Sequence, residues 1–220
     1  MTERFAVIGD IHGNSAALRG VLRLLEDWSG TIVFTGDYVN RGPDSSGVIE
    51  MLISLSRNRP DAIFLAGNHD TVLRSAIQSG SISQLLNIGG APTIKSYVKV
   101  PGADVAGQLQ ESVPFEHLAF LNSLRPWYVS ADGLAVTHSP GDNLPDQINV
   151  RYRIFGHVPN KNLLPRVEVD WAGIDTGCGT MESGRLTCLF WPSLKVTQVD
   201  GSGNQVISQT SAVPRFWPVE

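Results

Sequence analysis

Phe5-Ala-Val-Ile-Gly-Asp-Ile-His-Gly-Asn14 opens with four apolar residues and then breaks into glycine, aspartate and histidine. The run Phe5–Ile8 reads as a buried strand, because nothing in it alternates with polar residues. Leu18, Val21, Leu22 and Leu25 follow at helical spacing within Ser15–Trp28. Thr31-Ile-Val-Phe34 is the next strand, and Gly47–Leu55 the next helix, with Val48, Met51, Leu52 and Leu55 on one face. Ala62-Ile-Phe-Leu65 completes a βαβαβ order, which implies parallel strands under covering helices.

Further along, Thr71–Gln78, Ile82–Asn87 and Phe115–Leu124 have helical patterns, with breaks at Gly89-Gly-Ala-Pro92 and Pro101-Gly102. Residues 71–130 therefore read as a helical excursion over one end of the sheet. The second half is strand-rich: Gly133–Thr137, Tyr152–Phe155, Ala172–Thr176, Leu186–Trp191 and Lys195–Val199. A single α/β domain over residues 1–200 is expected, with 201–220 as a polar, proline-containing C-terminal tail.

The chain has 220 residues, 42% hydrophobic and 17% charged, with a formal net charge of −4. That charge leaves no basic footprint for a nucleic-acid polymer. Two cysteines, Cys178 and Cys188, are too few for a disulfide framework or a cysteine-based zinc site. They flank a hairpin-like turn where they could face each other, and they read as reduced thiols of a cytoplasmic protein. No signal peptide fits at the start, and no apolar run approaches the roughly 20 residues of a membrane span.

Five strands end in residues of one chemical kind: Gly9-Asp-Ile-His-Gly13, Gly36-Asp-Tyr-Val-Asn-Arg-Gly42, Gly67-Asn-His-Asp70, Thr137-His-Ser-Pro140 and Gly156-His-Val-Pro159. Ligands of α/β sheets gather beyond the carboxyl ends of strands. The inventory is Asp10, His12, Asp37, Asn68, His69, His138 and His157. Mixed carboxylate and imidazole donors suit Mn²⁺, Fe or Zn²⁺ better than Ca²⁺, which takes oxygen. Any one of these residues alone would be a helix cap, a turn or a packed histidine. Four of the five histidines falling in strand-end segments is a different matter; only His117 lies elsewhere.

In order, GDIHG, GDYVNRG, GNHD, His138 and His157 resemble the calcineurin-like metallophosphoesterases, in particular the PPP-type phosphatase branch. The resemblance runs from about Phe5 to Trp191. Gly89-Gly-Ala-Pro-Thr-Ile-Lys-Ser-Tyr97 and Ile174-Asp-Thr-Gly-Cys178 with Gly184-Arg-Leu-Thr187 are similar to bacterial members. It implies a sandwich of two mixed β-sheets flanked by helices. It also implies two divalent ions, Mn²⁺ first, with Fe or Zn as alternatives. Asp10, His12 and Asp37 would hold one ion; Asp37 as a bridge, with Asn68, His138 and His157, would hold the other. A hydroxide between them would attack the phosphate. Arg41 would bind the phosphate with its planar fork, assisted by Asn68. His69, the motif histidine not needed as a ligand, would be the general acid, oriented by Asn40.

Two positions depart from the pattern. Asn40 stands where the branch usually has an aspartate that favours the protonated acid; a neutral amide would orient the ring through its carbonyl but stabilise imidazolium less. Ala66 stands where protein phosphatases often carry an arginine, and Arg151 or Arg153 would have to replace it. The favoured substrate is a phosphomonoester, as in a phosphoserine/threonine or phosphotyrosine protein. The alternative is a symmetrical dinucleoside tetraphosphatase acting on diadenosine polyphosphates, which GDxVNRG with GNHD resembles, although those enzymes usually have GDIQG. A small nucleotide or sugar phosphate and an inactive phosphate- or metal-binding module complete the set.

Overall fold

The computed structural model of the chain describes residues 3–211. Its first half runs β1 (Phe5–Ile8), α1 (Ser15–Leu24), β2 (Thr31–Phe34), α2 (Ser45–Asn58), β3 (Ile63–Phe64), α3 (Asn68–Ser79), α4 (Ser83–Asn87), α5 (Ala91–Tyr97), α6 (Val105–Ser112) and α7 (Phe115–Ser123). The second runs β4 (Trp127–Val129), β5 (Leu134–Thr137), β6 (Tyr152–Phe155), β7 (Arg166–Val167), β8 (Trp171–Gly173), β9 (Leu186–Trp191), β10 (Lys195–Val199) and β11 (Gln205–Ser211).

The strands form two sheets, ordered β11-β10-β9-β1-β2-β3 and β4-β5-β6-β8-β7. β1, β2 and β3 are parallel, as are β5, β6 and β8, while β9 runs antiparallel to β1 and β4 to β5, so each sheet is mixed. Side chains alternate across a strand. Phe5 and Val7 face the second sheet and pack with Leu134, Val136, Tyr152 and Ile154. Ala6 and Ile8 face the other way, into a core shared with the helices. Both faces of β1 are dry, which is why Phe5–Ile8 has no polar alternation. All seven helices place their buried apolar side chains in that helix-side core. The outer face of the second sheet has no helix on it among the described residues.

Several expectations need correction. The first helix ends at Leu24 rather than Trp28; Trp28 instead packs against Phe190 in a tilted pair, with ring centroids 5.0 Å apart. Pro92 sits in the first turn of α5 instead of breaking the chain, a position where proline is tolerated. α6 was hidden by its few apolar residues, although Asp104 caps it by accepting from Gly107 N. The expected tail from residue 201 instead starts as a turn and then β11, which pairs antiparallel with β10. Its polar composition suits an edge strand. Residues 212–220 lie outside the described part.

Candidate active site

The loops after β1 and β2 interlock. His12 N donates to Asp37 O at 2.9 Å and Gly13 N to Tyr38 O at 2.8 Å. Asp70, to which the sequence reading gave no role, pins these loops to α3. Its Oδ2 accepts from Asp37 N (2.8 Å) and Gly67 N (2.9 Å), and its Oδ1 from Tyr38 N (2.9 Å). An aspartate at the third helical position is the legible trace of this arrangement. Glycine is required where backbones close on the carboxylates: a Cβ on Gly67 would collide with Asp37 Oδ1, and one on Gly156 with Asp10 Oδ1.

Asp37 is central. Its Oδ2 lies 3.6 Å from His12 Nε2 and 3.9 Å from His69 Nε2, and its Oδ1 lies 3.5 Å from His138 Nε2. The carboxylate thus faces two donor groups, His12–Asp37–His69 and Asp37–His138–His157. Asp10 is in neither group. It sits beside them, accepting from Thr35 Oγ1 at 3.1 Å and His157 N at 3.0 Å, with a second lone pair left on each oxygen.

These donors fit divalent ions. His12 Nδ1 donates to Val39 O (3.1 Å) and His138 Nδ1 to Thr35 O (3.0 Å), which turns a bare Nε2 of each ring into the site. His138 Nε2 then lies 3.1 Å from Asn68 Oδ1 and 3.1 Å from His157 Nδ1. The lone pairs of His138 Nε2 and Asn68 Oδ1 repel unless a cation draws on both. Burial, then His69 and Arg41, pull the His12 imidazole down to about 3; burial, then His157, pull His138 down to about 4. Both rings are therefore neutral at pH 7, the form that ligates metal. Burial pushes the Asp37 carboxyl up, with Asp70 adding to it; burial does the same to Asp10, reinforced by Asp175 and Asp37. Buried carboxylates held this close need positive charge.

Beside the donors, Asn40 Nδ2 lies 2.9 Å from His69 Nδ1, and Asn40 Oδ1 accepts from Thr93 Oγ1 at 2.8 Å. Thr93 Oγ1 also accepts from Asn40 N at 2.9 Å and is 2.7 Å from Ser45 Oγ. The pairing expected of Asn40 and His69 is present with its polarity reversed: the amide donates. The ring proton of neutral His69 is then on Nε2, facing the site. Thr93 lies in the Gly89–Tyr97 segment, but nothing in the sequence linked it to Asn40. Arg41 is exposed at the rim, its Nη1 3.3 Å from His12 Nε2. Arg151 and Arg153 are not in this cluster; Arg153 Nη1 donates to Pro140 O at 2.9 Å.

Five of these residues have left-handed backbone without being glycine: His12 (φ 46°), Asp37 (53°), Asn40 (70°), Arg41 (67°) and His157 (65°). Such conformations cost on the order of 1–3 kcal/mol each and persist only where surroundings impose them.

The profile of the calcineurin-like phosphoesterases matches residues 3–172. The chain belongs to this family. The expected family and fold are both borne out, and this calcineurin-like phosphoesterase is a metal-dependent hydrolase of phosphate esters. The family's centre is dinuclear. A bis(5'-nucleosyl)-tetraphosphatase PrpE [asymmetrical] of Bacillus mycoides (strain KBAB4) is 26% identical over 90% of this chain and 95% of its own. The protein of that name from Geobacillus sp. (strain WCH70) is also 26% identical, over 89% and 94%. Among solved structures, a putative diadenosine tetraphosphatase superposes with a TM-score of 0.63 at 22% identity, covering 91% of this chain and 95% of that one. The cold-active protein-tyrosine phosphatase of a psychrophile Shewanella sp. gives 0.55 at 15%, covering 95% and 80%. The two structural likenesses speak for the fold. No described helix is long and apolar enough to cross a membrane.

Proposed function

We propose that this phosphoesterase hydrolyses dinucleoside polyphosphates at two divalent ions held by Asp10, His12, Asp37, Asn68, His138 and His157. The ions, when bound, supply the charge that activates water and neutralises phosphate oxygens. Mn²⁺ suits the mixed donors, with Fe or Zn as alternatives. Arg41, at the rim beside His12, clamps phosphate oxygens with its fork, and Asn68, beside His138, assists it. His69 presents Nε2–H to the leaving oxygen. Six intact donor positions speak against an inactive module. Two free, buried thiols fit a cytoplasmic setting.

The observation that carries the substrate class is the amide of Asn40 on His69 Nδ1. A ring held in this way donates a hydrogen bond readily but gives up a proton poorly. A nucleotide leaves as a weakly basic phosphate anion and needs no proton; a serine alkoxide does. The relatives' names agree, and their designation as asymmetrical makes ATP and AMP the products expected from diadenosine tetraphosphate, rather than the two ADP of the symmetrical alternative. A phosphoprotein is the second reading, favoured by the Gly89–Tyr97 segment. Two of the polar residues of that segment, however, turn inward, Thr93 to Asn40 and Ser96 to Ser46.

Parallel rates with Mn²⁺ on diadenosine tetraphosphate and a phosphoserine peptide test the proposal. The dinucleotide is expected to show at least about tenfold higher kcat/KM, in line with what a missing general acid withholds from the alkyl ester. The opposite ranking would replace it by the phosphoprotein reading.

A further inference from the structure

β6 and β8 run side by side with Arg153 opposite Trp171 and Phe155 opposite Gly173. Their neighbours Tyr152, Ile154 and Ala172 point into the core between the sheets. Arg153, Phe155 and Trp171 therefore point outward, onto the sheet face that no described helix covers. A cavity of about 660 Å³ lies there, within the size range of small-molecule sites.

Its floor is aromatic. Phe155 and Trp171 stack with centroids 5.4 Å apart and planes 27° from parallel. Arg166 lies over Trp171 at 4.9 Å and is held by Glu168 at 2.8 Å. Arg151 and Arg153 also line the cavity, and neither pairs with a carboxylate among the described residues, unlike Arg59 and Arg166. Asp170 is the one carboxylate in the lining. The rim nearest the site is Pro140, two residues after His138, and Val158, next to His157. The loops that carry His138 and His157 thus also supply part of the cavity wall.

We infer that this cavity is the subsite for the second nucleoside phosphate of a dinucleoside polyphosphate. The inference rests on the dinucleotide reading above and adds where the far half of the substrate binds. Two arginines without a carboxylate partner match the phosphates beyond the cleaved bond. The aromatic floor and the apolar side chain of Val158, which is 54% exposed, match a nucleobase. Asp170 accepts from an exocyclic amine or a ribose hydroxyl.

The test compares wild type with Arg151→Ala, with Arg151→Glu/Arg153→Glu and with Trp171→Ala. Substrates are diadenosine tetraphosphate, a phosphoserine peptide and p-nitrophenyl phosphate, each with Mn²⁺. In the variants, kcat/KM for the dinucleotide relative to p-nitrophenyl phosphate is expected to fall at least about tenfold, mainly through KM, as for loss of charge-assisted contacts. Arg151 is exposed, so its truncation keeps the fold and decides the matter if the double variant misfolds. An unchanged ratio in a wild type that cleaves the dinucleotide would overturn the subsite and leave the function standing. A wild type that cleaves p-nitrophenyl phosphate but no dinucleotide would overturn the function itself. A selective loss on the phosphopeptide would hand the cavity to a protein substrate. Sedimentation of wild type as a dimer and of Arg151→Glu/Arg153→Glu as a monomer would assign it to a second copy of the chain.

Discussion

Asn40 donates its side-chain amide to Nδ1 of His69 across 2.9 Å, the reverse of what a carboxylate at that position would do. Burial, followed by the charges of Arg41, His138 and His157, pulls His69 down to about 4. An aspartate would accept the Nδ1 proton and add a negative charge, raising that value. Asn40→Asp is therefore expected to keep His69 protonated to higher pH and to move the basic limb of the pH–rate profile upward. The gain on phosphoserine peptides should reach about tenfold or more, within the range of general acid catalysis, and remain small on diadenosine tetraphosphate. Equal gains on both would mean that His69 does not serve the leaving group.

Thr93 decides which way that amide points. Its hydroxyl donates to Asn40 Oδ1 while accepting from Asn40 N, and Asn40, Thr93 and Ser45 are all fully buried. Thr93→Val preserves shape but removes both bonds, and the amide becomes free to flip. A loss of about 1–3 kcal/mol in stability is expected from the orphaned groups. The informative readout is kinetic: the relative rate on alkyl and aryl phosphates should change, and Thr93→Ser should restore it. A stability loss without any change in that relative rate would reduce Thr93 to packing.

Asp37 offers one oxygen to the His12 side and the other to the His138 side. Metal analysis after gel filtration in Mn²⁺ should find about two ions per chain in wild type, as a two-metal site holds. His12→Ala should retain about one, and Asp37→Ala close to none. Full retention by Asp37→Ala would show that the carboxylate does not bridge.

Cys178 and Cys188 are both free and buried, and burial pushes both thiols well above their usual range. Neither should react with a disulfide reagent at pH 8 in the folded protein, since the thiolate is the reacting form. Both should react once guanidinium unfolds the chain. Rapid labelling of the native protein would contradict this packing.

The parts of this molecule that were legible in the sequence are those where one local signal has one cause. Phe5–Ile8 is apolar because both faces are covered, and the motifs sit at strand ends because parallel strands deliver them to one edge. What escaped has no local signature. β7 is two residues long, too short for any period. Thr93 meets Asn40 across 53 positions, and Asp70 meets Tyr38 across 32. The polarity of the Asn40–His69 bond is fixed by the hydroxyl behind it, so the two residues alone could not give it. The resemblance gives Asp10 and His69 different roles, ligand and acid; that His69 lies with His12 and Asp37 while Asp10 flanks both donor groups is a matter of the folded loops and not of the motifs.

The left-handed backbone at His12, Asp37, Asn40, Arg41 and His157 bears on how this protein can be engineered. Glycine at Arg41 or His157, the two whose side chains are exposed, would relax the chain without orphaning a buried group, so a library screened only for heat tolerance would enrich glycine there. The winners would be sturdier and inert. A useful screen must therefore select turnover and endurance together, and thermal gains should be sought in the helix-side core, where no side chain touches the chemistry.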